Sequence, residues 1–120
     1  MSYQRFIDEV AALCGPVDRD TIEQVVMATV RVLGMRLRPV DADAVAEQLP
    51  AHLAEQVRAE PFHGECCEQE FEDLVAERSS QLATPVAVRA VCRLLAERLN
   101  EQARAQLRIQ RLSSLFGSYS

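Results

Sequence analysis

The sequence predicts an all-α protein, a helical bundle of two pseudo-symmetric repeats, each with a helix, a long central helix and short helices. Apolar residues recur at helical spacing, and Gly, Pro and capping residues divide them into helix-length segments. The order of these segments recurs in the second half of the chain. With 120 residues, 48% of them hydrophobic, the chain can bury one core without disulfides or metal. We expect a single domain over residues 1–120, with repeat 1 at about 2–59 and repeat 2 at about 66–117.

An amphipathic helix opens the chain. Polar residues fill one of its faces, and the apolar positions of the other face are Tyr3, Phe6, Ile7, Val10, Ala11 and Cys14. Gly15 tolerates the left-handed backbone of a helix end, and Pro16 cannot continue the hydrogen-bond ladder. The first helix therefore ends before these two residues.

A second, longer helix follows, for which Asp18 and Thr21 offer N-cap oxygens. We expect it to begin near residues 19–22 and to run to about Leu37. Residues 25–35 are apolar on nearly every side, which is typical of a helix covered by several neighbours. The β-branched residues would also suit a strand, but the segment is too long for a typical strand and lacks turn residues.

Two short helices complete the first half. Asp41 and Asp43 can cap one that continues through Leu49. Pro50 then stands where a first helical turn tolerates proline, so a further short helix should run from there to about Arg58.

The second half repeats this plan after residues 60–64, which have the composition of a turn. Thr84 and Pro85 form an N-cap followed by proline at the first helical position, the start of a second apolar-rich helix. Around Asn100 the sequence leaves a break and a continued helix both open, because neither Gly nor Pro follows before Gly117. An amphipathic helix before Thr84 is marked by Phe71, Leu74 and Val75.

The two halves align, because residues 6–11 match residues 71–76 and residues 30–37 match residues 92–99. One half alone would leave the apolar face of its long helix open to water. Two copies packed together close a shared core, so we expect a pseudo-twofold arrangement.

Several short motifs are similar to those of a known family. They are Phe6-x-x-x-Val10, the helix ending Val32-Leu33-x-x-Arg36-Leu37, and Glu47-Gln48-Leu49-Pro50 followed by Leu53. Over nearly its whole length the chain resembles the domain of unknown function 2267 family, bacterial two-repeat helical proteins. The second copy departs from the pattern, with Arg108 where the proline would stand. The resemblance implies an all-α fold and supplies no catalytic or binding residue to carry over.

Composition limits the choice of compartment and partner. The formal net charge of −5 disfavours long-range attraction to nucleic acid or anionic lipid. The chain has neither an apolar run long enough to span a membrane nor a secretion signal at its start, so we expect a cytoplasmic protein without a membrane partner. The four cysteines lack the spacing of a disulfide framework, and we expect reduced thiols and no cofactor.

One segment has residue types that bind zinc, namely His63, Cys66 and Cys67, to which His52 or Glu65 could contribute. Adjacent cysteines fit poorly around one tetrahedral ion, and no second paired motif completes a site. We therefore favour an ordinary exposed linker over a metal site. A redox-sensitive thiol pair is the remaining alternative, which the acidic neighbours oppose.

Basic residues are concentrated in the last third of the chain, where Arg89, Arg93 and Arg98 precede three more arginines. Arg104, Arg108 and Arg111 are the candidate partner-binding residues, because their spacing places them on one helix face that could meet phosphate or an acidic protein. We favour the alternative that these arginines pair with acidic residues of the chain itself or of a second copy.

Neither the serine pairs nor the many carboxylates form a recognisable catalytic set, so we do not expect an enzyme. The favoured function is a non-enzymatic module for protein–protein interaction or self-assembly, with an unknown protein or a second copy, as in a homodimer, for its partner. One alternative is a nucleic-acid-binding regulator that uses the C-terminal arginines, although we do not expect nucleic acid. The other is a small-ligand carrier or enzyme with a cavity between the repeats.

Overall fold

Helices account for about three quarters of the described residues in the structure, a computed structural model that describes residues 2–59, 61–62, 64 and 68–101. Within these ranges the chain contains no strand. The helices are α1 (Tyr3–Cys14), α2 (Arg19–Arg36), α3 (Pro39–Ala46), α4 (Ala51–Val57), α5 (Glu68–Arg78) and α6 (Pro85–Arg98). The predicted all-α class is confirmed, and the β-branched stretch within residues 25–35 is helical.

The first helix is capped at both ends, and it ends before Gly15 as the sequence predicts. The backbone N–H of Arg5 donates a 3.2 Å hydrogen bond to Oγ of Ser2 at the N-cap. At the other end Gly15 has a φ of 80°, and its N–H donates to the carbonyl of Ala11 at 3.1 Å. Only glycine adopts this conformation without a steric cost, which explains the stop.

The predicted start of α2 is confirmed, with Asp18 as its N-cap residue, but the capping hydrogen bond expected from the Asp18 or Thr21 side chain is not formed. The amide of Ile22 donates to the carbonyl of Asp18 at 3.0 Å, so the helix begins at Arg19 and Thr21 already lies in its first turn. The Asp18 side chain makes no capping hydrogen bond. Its carboxylate still lies where the helix dipole favours negative charge.

The start of α3 also differs from the prediction, since Pro39 rather than Asp41 or Asp43 opens the helix. A proline forces the preceding residue into extended backbone, and Arg38 has a ψ of 150°. Because a first helical residue needs no N–H partner, proline is well suited to this position. Asp41 therefore lies inside the first turn.

The later boundaries agree with the sequence and settle the question left open at Asn100. The hydroxyl of Thr84 accepts a 3.2 Å hydrogen bond from the amide of Ala87, and Pro85 is the first residue of α6. The helix ends at Arg98, Leu99 is extended, and helical backbone resumes at Glu101. The chain therefore breaks here rather than continuing as one helix.

The core is organised around α2, which packs against α1, α4, α5 and α6. This explains why α2 is apolar on most sides. The first helix of each half packs on the long helix of the other half, since α1 packs on α6 and α5 packs on α2. Two pseudo-symmetric repeats would pack in this way. The repeat organisation stays a prediction that this pairing supports. No helix in the described ranges is long and apolar enough to cross a membrane.

Helices α2 and α4 approach each other closely at Gly34. A Cβ atom at this position would lie 1.9 Å from the carbonyl oxygen and 2.8 Å from the carbonyl carbon of Val57. These are backbone atoms that cannot turn aside, unlike the end of a flexible side chain. Any side chain at position 34 would therefore force α4 away from α2.

We predict that Gly34→Ala destabilises the protein by about 1–3 kcal/mol, the usual cost of overpacking a core. Helix propensity alone predicts the opposite sign, a gain of about 1 kcal/mol. Urea unfolding decides between the two. Ala12→Gly, at an exposed position of α1, provides a measure of the propensity effect in the same protein. If Gly34→Ala were as stable as the wild type or more so, the close crossing would be wrong.

Candidate functional site

The predicted partner-binding residues Arg104, Arg108 and Arg111 lie outside the described residues, as do Glu65, His63, Cys66 and Cys67. The structure therefore describes neither this arginine-bearing helix face nor the His63, Cys66 and Cys67 candidates for zinc binding. Among the residues that it does describe, no group of three or more His, Cys, Asp or Glu side chains could hold a metal ion.

The described arginines of the last third form ion pairs with acidic residues of the same chain. Nε of Arg89 lies 3.4 Å from Oε1 of Glu72, and Arg98 pairs with Glu9 across the α1–α6 contact. Arg93 lies 3.9 Å from Glu97 on its own helix. These pairs agree with the interpretation that basic residues of this region meet the chain's own carboxylates.

An exposed apolar surface lies at the start of α3. Val40 is 79% exposed and Phe62 is 41% exposed, although both are large hydrophobic residues. Pro39, which opens the helix, and Pro61 lie beside them. We call these four residues the Val40 surface.

Two shallow grooves flank Phe62, and both are lined by Pro39 and Phe62. One has a volume of about 280 Å³ and reaches down to Gly34 and Val57, where α2 and α4 cross. The other, of about 480 Å³, runs along Val40. The surface therefore has both a projecting apolar side chain and apolar depressions beside it.

Charges of both signs surround the Val40 surface in two pairs. Nε of Arg58 donates to Oδ1 of Asp43 at 3.1 Å, which ties the end of α4 to α3. Nε of Arg38 lies 3.7 Å from Oδ2 of Asp41. Positive and negative charges therefore balance around the rim, and the apolar centre is the distinguishing feature of the Val40 surface.

A third groove, polar and of about 540 Å³, lies where α1, α2, α4 and α5 meet. We call it the Arg31 groove. Its lining residues are Tyr3, Glu23, Gln24, Met27, Ala28, Arg31, His52, Gln56 and Arg78. Its volume is in the range of small-molecule sites.

Arg31 is held in the groove by a hydrogen bond from its Nε to Oε1 of Gln56 at 2.6 Å. Arg78 approaches from α5, and its Nη2 donates to Sδ of Met35 at 3.5 Å. Two guanidinium groups thus line the same groove. The groove floor is apolar, because Met27 and Ala28 line it between Glu23 and Arg31 on one face of α2.

Tyr3 lines the other end of the groove, beside Glu23. Its hydroxyl donates to Oε1 of Glu23 at 3.2 Å, and its ring meets the His52 ring edge-on with 4.5 Å between centroids. Burial, reinforced by the Glu23 carboxylate, raises the pKa of Tyr3 to about 12. The hydroxyl therefore stays protonated and keeps donating to Glu23.

Sequence reasoning missed both surfaces. It placed Arg38-Pro39-Val40 before a helix opened by Asp41, so Val40 was not recognised as an exposed residue of a first turn. Proline at the first helical position was the signal that could have corrected the boundary. The Arg31 groove has no comparable signal, since Tyr3, Arg31 and the other lining residues come from four separate helices.

The fold and these two surfaces describe a small helical protein with candidate binding surfaces, in which the described residues form no metal cluster. The chain belongs to the DUF2267 family, described as an uncharacterized conserved protein, which matches residues 3–111. The family resemblance inferred from the motifs is therefore confirmed. In the comparison with curated proteins, no relative matches the chain.

The raised pKa of Tyr3 predicts a specific loss of stability at high pH. The unfolded chain loses the phenol proton near pH 10, whereas the folded chain keeps it until about pH 12. The tyrosine contribution is therefore complete below pH 10 and declines as the pH rises towards 12. Tyr119→Phe leaves Tyr3 as the sole tyrosine of the chain.

Urea unfolding of Tyr119→Phe, with and without an added Tyr3→Phe change, should be compared at about pH 9 and about pH 11. We expect a larger loss of stability in the protein that keeps Tyr3. An equal loss in both proteins would mean that Tyr3 titrates alike in the folded and unfolded states.

Proposed function

We propose that this protein is a non-enzymatic interaction module that pairs with a second copy of itself through the Val40 surface. The observation that carries the proposal is the 79% exposure of Val40 beside the exposed Phe62. Exposed apolar patches that carry a polar rim are typical of protein interaction sites. Burying a valine side chain contributes roughly 1.5–3 kcal/mol, so a few such residues can stabilise an association.

The balanced rim favours a second copy as the partner. In a twofold interface each surface meets itself, so every arginine on one side can approach an aspartate on the other. The exposed pair Arg58 and Asp43 offers both signs for such an exchange. A strongly basic or acidic partner would gain no comparable charge match at this rim.

The two cysteines that the structure describes, Cys14 and Cys92, favour a module over a thiol enzyme. Burial raises the pKa of both Cys14 and Cys92, which keeps these thiols protonated and unreactive. Both are free thiols, which fits a reducing compartment, and we place the protein in the cytoplasm. No observation on the described residues favours the nucleic-acid alternative over self-association.

Two valines make a matched test of the proposal. Val40 is the second residue of α3 and Val86 is the second residue of α6, and each follows a proline that opens its helix. Val86 is also exposed, at 67%. Aspartate is tolerated in a first helical turn, so neither Val40→Asp nor Val86→Asp should unfold the protein.

We predict that the wild type and Val86→Asp form dimers in sedimentation velocity, whereas Val40→Asp is monomeric or at least about tenfold weaker in association. Thermal unfolding of the dilute proteins checks that both variants remain folded. A wild type that stays monomeric at high concentration would overturn self-association. Equal weakening by both variants would place the interface elsewhere.

A further inference from the structure

We propose that the Arg31 groove binds a small organic carboxylate, whose carboxylate meets the Arg31 guanidinium and whose apolar body lies over Met27 and Ala28. This inference is independent of self-association through the Val40 surface, since the two surfaces share no lining residue. It names a ligand class for a groove with a volume of about 540 Å³.

Arg31 is distinguished from other surface arginines by the absence of an acidic partner among the described residues. Arg19, by comparison, lies 2.5 Å from Asp8, and Arg58 lies 3.1 Å from Asp43. Nε of Arg31 donates instead to the neutral amide oxygen of Gln56. Its positive charge is therefore not matched by a carboxylate of the described chain.

The hydrogen bond to Gln56 also prepares the guanidinium for a ligand. It uses Nε and limits rotation of the group, while the two terminal nitrogens keep donors that Gln56 does not use. Two parallel N–H donors match the two oxygens of a carboxylate, which is the bidentate geometry that arginine favours. Arg78 adds a second positive charge to the same groove.

The opposite end of the groove sets the orientation of the ligand. Glu23 stands two helical turns before Arg31 on α2, a separation of about 12 Å along the helix axis. Its carboxylate accepts from Tyr3, and it would repel a second anion at that end. The ligand carboxylate is therefore expected at Arg31, with uncharged atoms extending towards His52 and Tyr3.

The floor between these ends is apolar, which argues against a bare inorganic anion as the ligand. Met27 and Ala28 offer carbon and sulfur atoms to an apolar body, and Gln24 adds an amide at the wall. A phosphate ion would use the arginines but leave this floor in contact with water. A carboxylate with an aromatic or aliphatic body uses both features.

Phenylacetate is a suitable probe, tested by nitrogen-15 NMR titration of the full-length protein. We expect saturable shifts at Met27, Arg31 and Gln56. Arg31→Gln should weaken this binding by about tenfold or more, because a hydrogen-bonded charge pair is lost. Arg93→Gln is the matched control, since Arg93 is an exposed arginine on α6, away from the groove. Arg31→Lys should bind less tightly than wild type, because lysine keeps the charge without the planar fork.

Two further probes separate the sources of binding. 2-Phenylethanol keeps the apolar body without the carboxylate, and we expect it to bind at least about tenfold more weakly than phenylacetate. Inorganic phosphate should displace phenylacetate poorly. Equal binding of 2-phenylethanol, efficient displacement by phosphate, or equal effects of Arg31→Gln and Arg93→Gln would each overturn the proposal. Shifts that never saturate would do the same.

Discussion

The close crossing of α2 and α4 at Gly34 is the constraint on which the rest of the structure depends. Because no Cβ stands between the helices, the backbone of Val57 can approach α2 directly. This crossing forms the floor of one groove beside the Val40 surface. One turn earlier on α2, Arg31 meets Gln56 of the same helix α4. A single backbone approach therefore positions residues of both candidate binding surfaces.

Packing around α2 explains why this crossing can be maintained. Helices from both halves of the chain cover α2, so the apolar residues that surround it leave water together. Ion pairs such as Arg98 with Glu9 join α6 to α1 at the edge of this core. Partly exposed pairs contribute little to stability, since solvent screens them. The core therefore fixes the helix positions, and the ion pairs make only a small contribution at the surface.

Helix content and most helix ends could be predicted from the sequence, because apolar spacing and Gly or Pro positions act locally. Gly15 and Thr84 each fix a helix end through backbone or capping geometry. The prediction failed at the start of α3, where Pro39 rather than Asp41 opens the helix, and at Asp18, which lies at the N-cap of α2 but makes no capping hydrogen bond. The exposure of Val40 and the position of Arg31 depend on other helices, so no local pattern could predict them.

The two candidate surfaces use arginine in opposite ways. Beside the Val40 surface, Arg58 and Arg38 lie next to aspartates, so positive and negative charges balance locally and the apolar residues are the distinguishing feature. In the groove, Arg31 bonds to a neutral amide and keeps its charge available. Residue type alone does not separate these roles, and neither does exposure, since both kinds of arginine face solvent. The partner of each guanidinium decides whether an apolar or an anionic group is favoured beside it.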